Sequence, residues 1–148
     1  MRFFEYYSAD GDMVELSEAE ARTRDTYAEL IDSPLRHYRT FFHHELERVS
    51  YPESSPSPEL VTRHRESYPG VRFWVVSPIT YVENEPSYTI WYYAGDGTLE
   101  KRVEYENRPL VGISRWFHPD GRLGGSMERR FHEWGEHIET ITRDETGR

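Results

Sequence analysis

The second half of the chain contains six segments with the alternation typical of β-strands, and this pattern constrains the fold more than any other feature. The segments span 71–82, 87–93, 99–106, 110–117, 123–131 and 137–142. The connections contain Asp96-Gly97, Asp120-Gly121 and Trp134-Gly135, and such short turns join neighbouring antiparallel strands. We therefore predict a six-stranded antiparallel meander over residues 71–143.

The first 70 residues show mainly helical signals. Strand-like segments on either side of Asp10-Gly11 predict an N-terminal hairpin. Ser17 with Glu20 has the spacing of a capping box, which predicts a helix over about 18–31. Ser33-Pro34 is typical of a helix start. The helix expected there presents one apolar stripe, formed by Leu35, Tyr38, Phe42, Leu46 and Val49. A loop rich in Pro and Ser follows, and Ser57 is expected to cap a short helix over about 58–67.

These elements predict an α+β fold, with an N-terminal hairpin and two to three helices packed on the six-stranded antiparallel meander. The length of 148 residues is typical of one domain. We expect a single domain over 1–148, with the hairpin and helices in 1–70 and the meander in 71–143.

Composition and charge restrict the classes of function. The chain has 18 Lys+Arg, 27 Asp+Glu and no Cys. An acidic balance argues against nucleic-acid binding, because phosphate contacts need clustered cations. The absence of Cys excludes thiolate chemistry and suits a reducing compartment, and no apolar run is long enough to span a membrane. We expect a cytoplasmic protein with no membrane or nucleic-acid partner.

A short repeat lies inside the predicted meander. Tyr93-Ala94-Gly95-Asp96-Gly97-Thr98-Leu99 recurs 24 residues later as Phe117-His118-Pro119-Asp120-Gly121-Arg122-Leu123. Over 93–123 the pattern resembles the MORN-like β-hairpin repeat of bacterial antitoxin and immunity proteins, although Arg108 stands where that repeat prefers glycine. The resemblance implies a small binding protein that neutralises a partner. Any antiparallel meander with Asp-Gly turns shows a similar spacing, so a generic meander remains the alternative.

The sequence contains no recognisable catalytic set, cofactor fingerprint or metal motif. His37 and His44 are seven residues apart, which on a helix is about 10.5 Å along the axis and too far for one ion. Gly112 to Trp116 lacks the second glycine of a nucleophile elbow. The remaining catalytic candidates are His37, His44 and Tyr38, with a histidine as the base. We expect no cofactor and no metal, and we favour a binding protein over an enzyme.

Aromatic residues and charges on adjacent predicted strands form a candidate partner-binding set. Its members are Trp91, Tyr93, Glu100, Arg102, Glu104 and Trp116. Trp, Tyr and Arg are enriched at binding hot spots, and an acidic protein would be steered to a basic partner such as a nuclease toxin. The alternative is a small-molecule enzyme that resembles nuclear-transport-factor-2-like cyclases and isomerases, with an aromatic-lined pocket. An edge strand of the meander is also available for pairing in a homodimer.

Overall fold

The computed structural model describes all 148 residues and contains one large β-sheet with two short helices. The strands are β1 (Arg2–Phe4), β2 (Glu15–Leu16), β3 (Thr26–Ile31), β4 (His37–Phe42), β5 (Glu45–Pro52), β6 (Arg72–Val76), β7 (Thr80–Val82), β8 (Glu85–Tyr93), β9 (Leu99–Arg108), β10 (Val111–Phe117), β11 (Leu123–Phe131) and β12 (His137–Asp144). The helices are α1 (Glu18–Arg22) and α2 (Pro58–Ser67). Neither helix is long and apolar enough to cross a membrane.

The predicted α+β fold is wrong. Strands contain 51% of the residues and helices only 10%. The sheet order is β12-β11-β10-β9-β8-β6-β5-β4-β3-β1-β2, with β7 also paired to β8. The sheet is mixed rather than antiparallel, because β5 and β6 run parallel. Helix α2 connects these two strands, as a parallel connection requires a crossover.

The helix predicted over 18–31 is much shorter in the structure. The capping box is confirmed, since Ser17 Oγ accepts from the Glu20 amide and the Glu20 carboxylate accepts from the Ser17 amide, both at 3.1 Å. The helix nevertheless ends at Arg22. Residues 26–31 form β3, in which four consecutive residues from Tyr27 to Leu30 are buried. Three of these four residues, Tyr27, Ala28 and Leu30, are apolar, and a short apolar run in a buried strand resembles the end of a helix in sequence.

The helix predicted from Ser33-Pro34 to Val49 is absent, and two antiparallel strands, β4 and β5, occupy its place. His43 and His44 form the two-residue turn between them, with φ values of 50° and 64°. This backbone conformation matches the twist of a hairpin but is usually supplied by Asn or Gly. A bulge after Thr40 shifts the register. The residues of the predicted stripe divide between the two faces of the sheet: Tyr38 packs under the N-terminal segment, whereas Val49 belongs to the core under α2.

The structure confirms the short helix predicted over 58–67, which is α2. Ser57 Oγ accepts a hydrogen bond from the Leu60 amide at 3.2 Å, and Pro58 occupies the first turn. Its buried face packs over β5, β6 and β8. The resulting core cluster consists of Val49, Tyr51, Leu60, Phe73, Val75 and Tyr93. Smaller clusters lie under α1 and under the N-terminal segment 5–14, which covers the opposite face of β3 and β4.

The second half differs from the predicted meander at its beginning. The expected strand 71–82 is split into β6 and β7, with Pro78 between them. From β8 to β12 each strand pairs antiparallel with the next. We call β9 to β12 (residues 99–144) the meander, and residues 2–98 the helix-backed region.

Candidate docking surface

One face of the meander and of the strands beside it carries a layer of mostly half-buried aromatic side chains. We call it the open face, because it lies on the side of the sheet opposite to α2. Directly paired residues share a face of a sheet, so the register assigns Ile90, Val103, Trp116 and Gly125 to one row. The open face comprises Trp74, Tyr88, Tyr92, Val103, Tyr105, Trp116 and Met127.

Contacts between the rings hold the open face in a fixed arrangement. Tyr88 stacks on Tyr105 with a centroid distance of 4.9 Å. The hydroxyls of Tyr92 and Tyr105 are hydrogen-bonded at 3.0 Å. The Arg48 guanidinium lies 3.7 Å from the Trp74 ring centroid, and burial lowers the pKa of Arg48. The same burial raises the pKa of Tyr92. These polar and aromatic groups are therefore partly buried within the open face.

The indole of Trp116 lies flat on the backbone of the next strand. A Cβ atom placed on Gly125 would be 2.2 Å from Trp116 Cζ2, and one on Gly124 would be 2.8 Å from Trp116 Cδ1. Only glycine leaves this space free, and the two adjacent glycines therefore have a packing role. They let the ring lie flat against the sheet while its outer surface stays partly exposed.

The opposite face of the meander carries alternating charges. Arg115 and Arg108 contact Glu106 at 2.9 and 2.8 Å. Arg130 contacts Glu128 at 3.0 Å and Glu139 at 3.2 Å. Hydrogen bonds from Arg115 and Arg108 lower the pKa of Glu106. The charges neutralise one another and stay partly exposed, so each pair stabilises the fold only slightly.

Five of the ten exposed large apolar side chains lie at one end of strands β7 to β12. The turns 83–84, 109–110 and 132–136 meet at this end, where Glu85, Leu110 and Phe131 line the same surface depression. We call the exposed apolar residues here the rim. They are Tyr81, Val82, Leu110, Trp134 and Ile138, with exposed fractions of 67%, 36%, 43%, 72% and 51%.

Trp134 is exposed but held in place. Its ring stacks on His132 with a centroid distance of 4.3 Å and an interplanar angle of 9°. Its Nε1–H donates to a Glu136 carboxylate oxygen at 2.9 Å. Gly135 has a φ of +89°, which L-residues rarely adopt. This glycine allows the chain to reverse tightly behind the ring. A large aromatic side chain is therefore displayed to solvent in a defined orientation.

The residues predicted to bind a partner do not form one surface. Trp91, Arg102 and Glu104 lie on the face that carries α2 and the ion pairs. Tyr93 belongs to the core under α2, is 8% exposed and stacks on Phe73. Glu100 is exposed at the start of β9. Trp116 alone of the six lies on the open face.

The catalytic candidates are also separated. His37 lies on the face covered by α2, whereas Tyr38 is buried on the opposite face against Phe4 and Tyr7. His44 is in the exposed turn between β4 and β5. No group of three or more His, Cys, Asp or Glu side chains is arranged to hold a metal ion.

His37 lines a pocket beside α2. The cavity has a volume of about 260 Å³ and is also bordered by Leu35, Tyr51, Arg63 and Tyr68. The His37 Nδ1–H donates to the Leu35 carbonyl at 2.6 Å, and Nε2 accepts from the Tyr68 hydroxyl at 2.6 Å. Burial lowers the pKa of His37, which favours the neutral imidazole. Both ring nitrogens are engaged within the chain.

A second histidine–tyrosine pair lies deeper in the same layer. The Tyr51 hydroxyl donates to His64 Nδ1 at 2.7 Å, and His64 Nε2–H donates to the Val71 carbonyl at 2.6 Å. Burial lowers the pKa of His64 and raises the pKa of Tyr51. His64 is 0% exposed, and its role is to connect α2 to the sheet.

Sequence reasoning missed the rim. Trp134 was identified only as part of a turn, because a Trp-Gly dipeptide marks a reversal without showing whether its ring is covered. Tyr81, Leu110 and Ile138 come from other parts of the chain, and only the strand order brings them to the same end of the sheet. A usable signal exists: large apolar residues stand within or beside three alternate turns of the predicted meander, and alternate turns lie at the same end of a meander.

The chain was compared with protein-family models, curated proteins and solved structures, and none of the three comparisons found a match.

Proposed function

We propose that this chain is a small protein-binding module of the immunity or antitoxin kind, which neutralises a partner protein by docking it on the open face and rim of the meander. One observation carries the proposal. The meander is a single layer of strands, and five of the ten exposed large apolar side chains lie at the end of the sheet where the turns 83–84, 109–110 and 132–136 are found. Exposed apolar groups in such a cluster are typical of interaction sites.

Trp134 is the expected centre of the interface. Tryptophan is the residue type most often found at binding hot spots. Its stacking on His132 and its hydrogen bond to Glu136 restrict the ring before any partner arrives. A side chain that is already ordered loses less conformational entropy on binding. Burying its exposed surface, 72% of the residue, is therefore favourable without a large ordering cost.

The distribution of charge supports a basic partner. Residues 1–98 contain nine Lys+Arg and 17 Asp+Glu, whereas residues 99–144 contain eight and nine. The acidic excess therefore lies in the helix-backed region, beside a nearly neutral meander. Such a field accelerates encounter with a basic protein while the apolar contacts determine how long the complex lasts. The resemblance of 93–123 to the repeat of antitoxin and immunity proteins points to a toxin as the partner class.

Growth rescue tests the proposal. Each protein encoded next to this chain is expressed in a bacterial host alone and together with it, and growth is measured. We expect one neighbour to be toxic alone and harmless together with the chain. We expect Trp134→Ala to abolish rescue at an unchanged level of folded protein. If no neighbour is both toxic and rescued, the proposal is wrong.

Phe42→Ala is the matched control for Trp134→Ala. Phe42 is also an exposed aromatic, at 48%, but it lies next to the β4–β5 turn in the helix-backed region. We expect this variant to rescue growth as the unmodified chain does. An equal loss of growth rescue in both variants would show that exposed aromatic residues in general maintain solubility. That result would contradict a specific docking surface.

The pocket at His37 supports the second candidate function, a small-molecule-binding enzyme of the cyclase or isomerase type with a histidine base. His37 and the Tyr68 hydroxyl form a pair at the wall of a 260 Å³ cavity, which is slightly smaller than the common range of ~300–1,000 Å³. Ser67→Trp places a bulky side chain at this cavity. Rescue that survives Ser67→Trp and is lost in Trp134→Ala favours the binding protein, and the reverse favours the enzyme.

A further inference from the structure

The outer edge of β12 is the longest unpaired strand edge in the molecule. In the sheet order β12 is the terminal strand at one end, and the two-residue strand β2 is terminal at the other. β12 is eight residues long and pairs with no strand other than β11. At its C-terminal end the Asp144 amide donates to the Arg148 carbonyl at 2.7 Å, so the outer edge is free over residues 137–143. An unpaired edge presents a row of free backbone donors and acceptors, which another strand can bind.

The register shows which backbone groups point outward. The Phe131 amide donates to the Leu110 carbonyl at 2.9 Å, so the odd-numbered residues of β11 bond toward β10 and the even-numbered residues toward β12. Their partners on β12 are Glu139, Ile141 and Arg143, paired with Arg130, Glu128 and Ser126. The backbone groups of Thr140 and Thr142 therefore point away from the sheet.

We propose that β12 pairs antiparallel with β12 of a second copy of this chain, with the two-fold axis at Ile141. Backbone geometry limits the alternatives, because an outward-pointing residue must face another outward-pointing residue. An axis at Ile141 satisfies this rule, since it places Thr140 opposite the partner's Thr142. It also places Ile141 opposite the partner's Ile141.

Charge complementarity selects this register. With the axis at Ile141, Glu139 lies opposite the partner's Arg143, and the same pair forms twice. An axis at Glu139 would place two carboxylates opposite each other. Axes at Thr140 or Thr142 would leave Glu139 or Arg143 opposite Ile141. Opposite charges across a strand pair stabilise it and like charges destabilise it.

Arg143 is available for this contact. It makes no ion pair within the chain, whereas Glu139 is held by Arg130 at 3.2 Å. In the dimer Glu139 would lie between two guanidinium groups, and Arg143 would gain its first carboxylate. Pairing at the edge leaves both faces of the meander uncovered, so the dimer is independent of the docking of another protein.

Cysteine cross-linking tests the register, since the chain has no native Cys. Residues opposite each other in a pair without backbone hydrogen bonds have Cα atoms about 4.5 Å apart, a distance that a disulfide can bridge. We expect Ile141→Cys to give a covalent dimer on mild oxidation. The control is Ile138→Cys, on the same strand. In the proposed register its two copies are about 20 Å apart, and they should stay uncross-linked.

Charge reversal tests the contact without a covalent bond. In sedimentation velocity we expect the unmodified chain to form dimers. Arg143→Glu places a carboxylate opposite Glu139 twice, and it should raise the dimer dissociation constant about tenfold or more. The double variant Glu139→Arg/Arg143→Glu should restore it. Monomers at all concentrations, or equal cross-linking of Ile138→Cys and Ile141→Cys, would overturn the proposal.

Discussion

The helix-backed region and the meander are both built from paired strands, yet they bury their side chains very differently. Of the 23 buried residues, 21 lie between Phe3 and Tyr93, and the meander contains only Val103 and Gly125. Helices α1 and α2 cover one face of the first region, and segment 5–14 covers part of the other. The meander is held by backbone pairing and contacts within each face. The difference indicates that the helix-backed region contributes most of the folding stability, whereas the meander contributes mainly exposed surface.

The largest expected effect compares a phenylalanine from each region. Phe73 is 0% exposed and stacks on Tyr93, with a centroid distance of 4.5 Å. We expect Phe73→Ala to lower the free energy of unfolding by about 3–5 kcal/mol, because it leaves a cavity in the core. Phe117 is only half-buried, beneath the Arg102 guanidinium at 4.2 Å. Phe117→Ala should cost about 1 kcal/mol. Urea denaturation measures both, and equal losses would remove the distinction between the regions.

The second prediction concerns the most tightly packed point of the meander. A Cβ on Gly125 would meet Trp116 Cζ2 at 2.2 Å and the Arg143 carbonyl oxygen at 2.8 Å. We expect Gly125→Ala to destabilise the chain by about 1–3 kcal/mol, as overpacking does, and to move Trp116 off the sheet. Tryptophan fluorescence reports the movement. In the Trp116→Ala background the same substitution should cost less, and an unchanged cost would show that the ring is not the obstacle.

The third prediction tests how α2 supports its region. Ser57 Oγ accepts the Leu60 amide at the helix start. We expect Ser57→Ala to lower the free energy of unfolding by about 1 kcal/mol. Ser57→Asp, which retains an accepting oxygen, should cost less. Hydrogen exchange should locate the loss in α2, β5 and β6, and faster exchange confined to the meander would contradict the assignment of stability to the helix-backed region.

The smallest expected effect is a pH dependence of the helix-backed region. Burial lowers the pKa of His37 and of His64 in the folded chain. The unfolded chain therefore binds protons first, and stability falls as the pH drops from about 7 toward 5. Chemical denaturation at the two pH values measures the fall. His64→Gln, whose amide can both accept from Tyr51 and donate to Val71, should reduce it. An unchanged pH dependence in this variant would exclude His64 as a source.

Local chemistry allowed part of the fold to be predicted from the sequence. Ser57-Pro58 and the Ser17 capping box mark helix starts correctly, since capping depends on neighbouring residues alone. The stripe from Leu35 to Val49 misled, because its residues divide between the two faces of the sheet although their spacing matches a helical period. The addition of the first strands to the same sheet depends on long-range pairing that no local pattern reveals.

The candidate site was less predictable than the fold. Trp116 could be predicted from the sequence, because an aromatic residue within a predicted meander strand is recognised from its residue type and position. The side of the sheet on which Trp91 and Tyr93 lie depends on where α2 packs. The rim depends on which turns meet, and therefore on the register of β7 to β12. Exposure is a property of the assembled sheet, and residue type alone did not indicate that Trp134 is uncovered.

The parallel pairing of β5 with β6 has a kinetic consequence. From β8 to β12 each strand pairs with the next strand in sequence. The loops that join these strands are therefore short and close quickly. β5 and β6 can pair only after the whole of α2 has been made and folded across them. Contacts between distant residues slow folding. We expect this crossover to set the folding rate of the chain. The strands of the meander then pair one after another with the folded helix-backed region, in the order in which the ribosome releases them.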